Sequence, residues 1–298
     1  MSDATQLPAN RAIVLRNATC AYCGRLFGVD QKESKEHVIG RRFVPKGTLA
    51  GQWNLILNAC NDCNGDKSDL EDDISVISMM PDQFGQYAID DQRLKDEVLR
   101  KSTKSQSRRT GKKVADSQEQ ITIGHAFGSG TLALNFTAPV QVEQARLYRL
   151  AHYHFRGFFY WLTYQRESNV GGFIRGGFFP LSACRRTDWG APRLRWFMDL
   201  AREWDIRLCA IGADTFFKAL VRRDPKGTEV WLWAFEWNHS IRVVGFAGNE
   251  GAVLSLLARA PDQATAVLSE TEKEMIRFRP EVSLPEDQDD LFATFADW

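Results

Sequence analysis

A stretch with two cysteines, an asparagine and a lysine, CNDCNGDKS at residues 60–68, holds residue types that can do chemistry. If a helix begins here, four of these side chains share one helix face, at positions i, i+3, i+4 and i+7: Cys60, Cys63, Asn64 and Lys67. Cysteine and asparagine side chains bind metals, and lysine binds phosphate. The stretch therefore predicts metal and phosphate chemistry on one side of a helix.

The chain has two C-x-x-C pairs, in TCAYCG and in ACNDCNG: Cys20/Cys23 and Cys60/Cys63. Each pair can hold one side of a tetrahedral zinc ion, and two pairs complete its coordination. Structural zinc sites contribute an apparent binding energy of about 10–16 kcal/mol, which can organise a small domain. We expect a structural Zn²⁺ site rather than four unrelated cysteines. The other two cysteines, Cys184 and Cys209, are expected to be packing residues.

The residues between the two pairs add a second pattern, in SKEHVIGRRFVPKG and QWNLILNAC. A C-x-x-C pair, an acidic-His dipeptide, an Asn-Leu apolar strand and C-x-x-C-N-x-x-K follow one another over residues 20 to about 70. This order resembles the HNH endonuclease family. The resemblance implies a ββα-metal fold, in which a hairpin and a helix surround the active site and a four-cysteine zinc holds them together.

The resemblance also implies a role for each matched residue. His37 matches the general base, and Glu36 and Asn64 match the ligands of a catalytic Mg²⁺ or Mn²⁺ ion. Asn54 matches the middle asparagine that steadies the hairpin and orients the histidine, and Lys67 matches the trailing lysine. The expected catalytic residues are His37, Asn54, Glu36 and Asn64.

The sequence departs from the family pattern in three places. Glu36 stands where aspartate is usual, and Gly40 stands where proline is usual. One extra residue lies between Asn54 and Cys60, which leaves Asn58 as an alternative for the middle asparagine.

The chemistry of these residue types supports the same prediction without the family. A histidine with an ordinary pKa near 6.5 can be neutral and basic at cellular pH. A carboxylate and an amide oxygen are hard ligands that suit Mg²⁺. Four basic residues near the predicted site are expected to contact substrate phosphates: Arg41, Arg42, Lys46 and Lys67.

The composition is that of an ordinary globular protein, with 44% hydrophobic and 26% charged residues and a formal net charge of zero. The sequence has no apolar run near the roughly 20 residues that span a bilayer, and its start lacks a signal-peptide pattern. We therefore expect a cytoplasmic protein that does not bind a membrane.

The pattern along the chain predicts an α+β fold in four parts. Residues 11–80 form the zinc-held ββα-metal domain, and residues 81–118 form a helix at 91–100 followed by a basic linker. The linker, RKSTKSQSRRTGKK, has seven basic residues and no acid, which is typical of a mobile tether or of an arm that contacts phosphates. Residues 119–280 form an α+β domain of unknown role, and residues 281–298 form an acidic tail that is solvated or lies over the basic arm.

Within residues 119–280 we predict a β-hairpin, EQITIGHAF with GTLALNFTA, helices at 142–164 and 191–204, and a three-stranded antiparallel meander at 214–246. One strand of the meander has four aromatic residues on one face: Trp231, Trp233, Phe235 and Trp237. The aromatic face is either a stacking platform for single strands or, as the apolar opposite face favours, sheet core. His152 and His154 lie about 200° apart on a helix and cannot share an ion, and His125 and His239 are expected in turns.

The sequence thus predicts a divalent-metal-dependent endonuclease that hydrolyses DNA, with a role in restriction or phage defence left open. The alternative is a zinc-dependent nucleic-acid-binding or adaptor protein that does not cut. RNA is not excluded as substrate. A homodimer or a partner protein bound through the C-terminal region is also left open.

Overall fold

The structure is a computed structural model that describes residues 11–28, 32–127, 130–263, 265–270 and 275–293. It is a mixed α+β fold, as predicted. The described helices are α1 (Asn61–Met79), α2 (Gln92–Ser102), α3 (Gln144–Leu162), α4 (Pro192–Glu203) and α5 (Glu250–Leu257). Helices α2, α3 and α4 lie within two residues of the predicted bounds.

The N-terminal sheet positions the residues of the predicted site. Its strands are β1 (Ile13–Val14), β2 (Glu33–His37) and β3 (Leu55–Cys60), in the order β1-β3-β2. Strand β2 is antiparallel to β3, and β1 is parallel to it. Alternate residues of β3 are apolar and buried, so its pairing register is fixed by the core. Helix α1 follows β3 without a loop.

The C-terminal region contains three further sheets. Strands β4 (Glu119–Phe127) and β5 (Gly130–Ala138) form the predicted hairpin, so His125 lies in a strand and not in a turn. A five-stranded antiparallel sheet has the order β6-β10-β9-β8-β7: β6 (Gly177–Arg185), β7 (Asp205–Gly212), β8 (Phe217–Arg223), β9 (Val230–Trp237) and β10 (Ile241–Gly248). The predicted meander is its centre. Strands β11 (Ala266–Glu270) and β12 (Met275–Phe278) form a separate pair.

The aromatic strand β9 is core on both faces, as favoured from the sequence. All eight of its residues are buried. Trp231, Trp233 and Phe235 pack with α3 on one face, and Leu232 and Ala234 pack with α4 on the other. The strand therefore has no exposed stacking platform.

One continuous core joins the cysteine-containing region to the large sheet. Val38 and Leu57 of the N-terminal region belong to the same buried cluster as Phe158 of α3 and Phe217 of β8. Gly157 of α3 lies against Val38 at a distance that excludes a larger side chain. Helix α3 is therefore the element that connects the predicted site to the C-terminal region.

The segment predicted as a mobile basic linker lies folded against α1. Arg108 pairs with Asp69 at 2.6 Å, and its backbone N–H donates to Asp73 at 3.0 Å. Ser107 is fully buried. Acidic residues on α1 thus supply the partners that the basic segment lacks in its own sequence.

The described part of the predicted acidic tail is also docked. Leu291 and Phe292 are buried. Asp289 pairs at 2.7 Å with Arg242, whose guanidinium also contacts Glu236 at 2.7 Å. A buried arginine therefore recruits the tail carboxylate, which corrects the expectation of a solvated tail. Residues 294–298 of that prediction lie outside the described residues.

Candidate functional site

The four cysteines of the two C-x-x-C pairs lie together, as predicted, and can hold a metal such as zinc. Their Sγ atoms all lie within 4.8 Å of one another. The Cys23 and Cys60 Sγ atoms are 3.8 Å apart, and a tetrahedron with Zn–S bonds of about 2.3 Å places sulfurs about 3.8 Å apart. The Cys60 backbone N–H also donates to Cys20 Sγ at 3.3 Å. The donor set and its spacing fit a closed structural zinc site.

The cysteines sit where local structure fixes them. The Gly24 N–H donates to the Cys20 carbonyl at 2.9 Å, which closes the first knuckle. Cys60 is the residue before α1, and Cys63 lies in its first turn. Burial and the neighbouring cysteines raise the pKa of the Cys63 thiol, so a bound cation is what would hold it as the thiolate.

Beyond the cysteines, α1 faces β2 through a buried triad of charged groups. Lys67 Nζ lies 2.6 Å from Glu36 Oε1 and 2.6 Å from Glu71 Oε1. It also donates to the His37 carbonyl at 3.1 Å. The Lys67 side chain is only 1% exposed. Lys67 therefore cannot contact a substrate phosphate, which corrects the expectation from the sequence. It positions Glu36 instead.

The triad keeps a net formal charge of −1 when all three members are ionised. Burial opposes the charge of Lys67, but Glu71 and Glu36 raise the pKa of Lys67 above its ordinary value. Burial likewise opposes ionisation of Glu71, but Lys67 holds its pKa below the ordinary value. Burial raises the pKa of Glu36, an effect that Lys67 only partly offsets. The surplus negative charge favours a nearby cation.

Glu36 and Asn64, the two predicted Mg²⁺ ligands, both lie between β2 and α1, where Asn64 contacts Ser34 of β2 and Glu36 contacts Lys67 of α1. Ser34 and Glu36 point to the same side of β2, and Asn64 Nδ2 donates to Ser34 Oγ at 2.9 Å. Glu36 Oε1 is held by Lys67 and by the Tyr22 hydroxyl at 3.3 Å. Within the described residues, Glu36 Oε2 and Asn64 Oδ1 have no hydrogen-bond partner. Two hard oxygen donors are thus held in place and unused, a set that fits Mg²⁺.

His37, the predicted base, is the last residue of β2 and is half-buried. Its imidazole has no hydrogen-bond partner among the described residues. Burial, together with the charges of Arg41 and Lys67, lowers the pKa of His37. A lowered pKa favours the neutral imidazole, which is the form that can accept a proton.

The contacts of Asn54 favour it over Asn58 as the middle asparagine. Asn54 accepts from the Ile39 N–H at 3.3 Å and donates to the Ile39 carbonyl at 2.8 Å. It therefore fixes the backbone that follows His37. Asn58 instead donates to Glu33 at 2.8 Å, away from that segment.

Close packing explains why position 40 is glycine, where proline is usual. A Cβ at this position would lie 2.2 Å from Glu71 Oε2. Any side chain would displace Glu71 from its contact with Lys67. The buried triad therefore explains why glycine replaces the usual proline here.

The expected phosphate contacts Arg41, Arg42 and Lys46 lie on the loop that follows β2, and all three are exposed. In the part of the chain that the structure describes, their charged groups have no ion-pair partner. Basic side chains next to His37 are thus free to bind an anionic backbone.

Sequence reasoning missed three members of the site: Tyr22, Glu71 and His154. Glu71 carries a local signal, because it lies four residues after Lys67 on a helix. His154 reaches the site from α3 and gave no such signal. Its Nε2 lies 3.8 Å from Glu71 Oε1, and its ring is surrounded by aromatic residues, including Phe217 at 5.1 Å between ring centroids.

Replacing Lys67 by methionine is expected to lower the free energy of unfolding by about 3–5 kcal/mol, because two largely buried carboxylates lose their counter-ion. Urea unfolding measures the change. The control is Lys95→Met, which breaks the ion pair of a more exposed lysine with the exposed Asp90 and should cost less than about 1 kcal/mol. Equal effects of the two substitutions would contradict a central role for the triad.

Stability is expected to fall as the pH drops from about 6.5 to about 4, because burial lowers the pKa of His154 to about 4 while the unfolded residue has a pKa of about 6.5. In this range the unfolded state binds a proton that the folded state does not bind. Below pH 4 this difference lowers the free energy of unfolding by on the order of 3 kcal/mol. Urea unfolding of wild type and His154→Phe across this range measures it. The variant should lose less stability on acidification, and parallel curves would show that His154 does not contribute.

Comparisons of the chain with known protein families, with curated proteins and with solved structures find no match. The roles assigned to the site residues therefore rest on the sequence pattern and on the geometry given above. Within the described part of the chain, no helix combines the length and the apolar character needed to cross a membrane.

Proposed function

We propose that the chain is a divalent-metal-dependent endonuclease of HNH type, with a zinc-held ββα-metal centre, that hydrolyses phosphodiester bonds in DNA. The observation that carries the proposal is that α1, which begins at the four-cysteine cluster, brings Asn64 against β2 through its hydrogen bond to Ser34, on the strand that ends with Glu36 and His37. Metal-assisted phosphodiester hydrolysis uses hard ligands that hold a cation and a histidine that can accept a proton.

The chain's own residues would divide the work as follows. His37 accepts the proton of the attacking water, and Asn54 holds the backbone that orients it. Arg41, Arg42 and Lys46 position the phosphate backbone without reading its sequence. Lys67 and Tyr22 hold Glu36 Oε1, so that Oε2 stays available.

Glu36 and Asn64 would hold Mg²⁺ or Mn²⁺, which supplies charge stabilisation to the phosphate oxygens and the leaving oxygen. One such centre cuts one strand, so a double-strand break needs two copies of the protein or two successive nicks. The same chemistry serves restriction or phage defence, and it would act on RNA as well as on DNA.

A second candidate function, zinc-dependent nucleic-acid binding without cleavage, is favoured by one observation. Lys67 Nζ lies 2.6 Å from Glu36 Oε1, so a buried ammonium already neutralises part of the carboxylate that a metal would use. In this account the exposed arginines bind nucleic acid, and Glu36 serves only to hold α1 against β2.

The two functions are separated by substituting Glu36 in the full-length protein, since the shared core makes an isolated N-terminal fragment unsuitable. Cleavage of an end-labelled DNA duplex with Mg²⁺ and binding by gel mobility shift are measured for wild type, Glu36→Gln and the exposed control Glu203→Gln. The nuclease predicts Mg²⁺-dependent cleavage that falls about 100-fold in Glu36→Gln only, with binding retained in all three. Binding without cleavage by zinc-loaded wild type would favour the second candidate.

A further inference from the structure

A cleft separate from the Glu36 centre opens beside the C-terminal half of α3. It has a volume of about 660 Å³ and is lined by Phe159 of α3, by the following loop and by the ends of β8 and β9. A smaller recess of about 120 Å³ shares Phe159 and Phe173 with it. Small-molecule sites have volumes of about 300–1,000 Å³, so the cleft is large enough for a nucleotide.

The walls of the cleft combine aromatic faces with unpaired arginines. Phe173 is 39% exposed, and the guanidinium of Arg223 lies 5.8 Å from the ring centroid of Trp231. Among the described residues, no carboxylate lies within ion-pair distance of Arg175 or Arg223. Aromatic faces bind planar bases, and arginine binds phosphate through paired N–H groups.

The charge of the lining is positive. The cleft and its recess together contain three arginines, Arg156, Arg175 and Arg223, and one acid, Glu229. Three positive charges against one negative charge leave a formal excess of +2. His152 of the recess adds no charge at neutral pH, because burial lowers its pKa to about 4. An anionic ligand is therefore favoured.

The cleft is held in its shape by the backbone of the loop after α3. The Gly172 N–H donates to Thr163 Oγ1 at 2.7 Å. A Cβ on Gly171 would lie 2.3 Å from the Tyr160 carbonyl oxygen, so only glycine allows this close approach. A site that is formed before binding loses less entropy when a ligand enters.

The cleft also lies next to the proposed cutting centre. The Phe173 ring packs on Gly24, in the first zinc knuckle. Arg156, which lines the recess, donates to the Tyr22 carbonyl at 3.0 Å, and the Tyr22 hydroxyl donates to Glu36 Oε1. Arg156 and Tyr22 thus connect the recess, which adjoins the cleft, to Glu36.

We propose that this cleft binds a nucleotide, with its base against Phe173 and its phosphate on Arg175 and Arg223. The nucleotide is either part of the bound nucleic acid strand or a free mononucleotide. The proposal does not require the chain to cut, because base stacking and phosphate binding in the cleft use none of the proposed catalytic residues.

The test is isothermal titration of full-length, zinc-loaded His37→Ala protein without Mg²⁺, so that cleavage cannot interfere. The probes are AMP, a short thymidine oligonucleotide and inorganic phosphate. Binding is compared in the same background after adding Arg175→Gln, Arg223→Gln or Phe173→Ala. The control is Arg93→Gln, an exposed arginine on α2. Arg175 is exposed, so its substitution leaves the core intact even if Phe173→Ala disturbs the zinc knuckle.

We expect each arginine substitution to weaken nucleotide binding about tenfold, because a charge-assisted contact is lost, and the control to have no effect. Binding of AMP would assign the cleft to a free nucleotide, and binding of the oligonucleotide alone would assign it to the substrate strand. Absence of binding to both AMP and the oligonucleotide would overturn the proposal. So would equal affinities in all variants, or phosphate binding as tight as that of AMP.

Discussion

Replacing His37 by alanine is expected to lower the rate of phosphodiester cleavage by about 10²–10⁴-fold, because a positioned general base contributes about that much. The protein should remain folded, since the imidazole is half-buried at the end of β2 and has no hydrogen-bond partner among the described residues. Single-turnover cleavage of an end-labelled duplex at saturating protein and Mg²⁺ measures the chemical step without the contribution of binding.

The control for this experiment is His239→Ala. His239 is also a partly buried histidine with a pKa lowered by burial, but it lies in the turn between β9 and β10, where its Nε2 contacts Thr215 Oγ1 at 3.0 Å. The control should cleave at the wild-type rate. A folded, zinc-loaded His37→Ala protein that cleaves as fast as wild type would remove His37 from the mechanism.

Without zinc in the four-cysteine cluster, the N-terminal region is expected to unfold and the whole chain to lose stability. Structural zinc sites contribute about 10–16 kcal/mol of apparent binding energy, more than the net stability of most domains. Cys20 and Cys60 are fully buried members of the core that continues into α3 and the five-stranded sheet, so the damage should not stay local. Thermal unfolding with and without a zinc chelator measures the effect.

Cys60→Ser and Cys184→Ser form a matched pair for this prediction. Both cysteines are buried, but only Cys60 belongs to the four-cysteine cluster. Cys60→Ser should lose the bound zinc, measured by elemental analysis, together with the cooperative unfolding transition. Cys184→Ser should keep both. A zinc-free wild type with an unchanged melting temperature would show that the cluster does not hold the fold together.

Features encoded in short spacings were predictable from the sequence. Each C-x-x-C pair brings its two sulfurs together because it needs only a tight turn. The alternating aromatics of 230–237 and the turn signals around them fix the meander. Asn64 and Lys67 lie on the helix face that their spacing from Cys60 requires.

The rest of the site depends on contacts between distant segments, and no local spacing encodes them. His154 meets Glu71 only because α3 packs on α1, and Lys67 meets Glu36 only because α1 packs on β2. The charges of the segment 100–113 and of the tail could be counted from the sequence. Their partners, Asp69 on α1 and Arg242 on β10, could not, because composition does not say which opposite charge a segment will meet.

Conversion of supercoiled plasmid to nicked circles by zinc-loaded, full-length protein, with Mg²⁺ and without it, beside His37→Ala, tests the central claim most directly. The account predicts nicking that requires Mg²⁺ and is lost in the variant while zinc and fold are retained. Nicking that proceeds equally in wild type and His37→Ala, or that does not require a divalent cation, would contradict it.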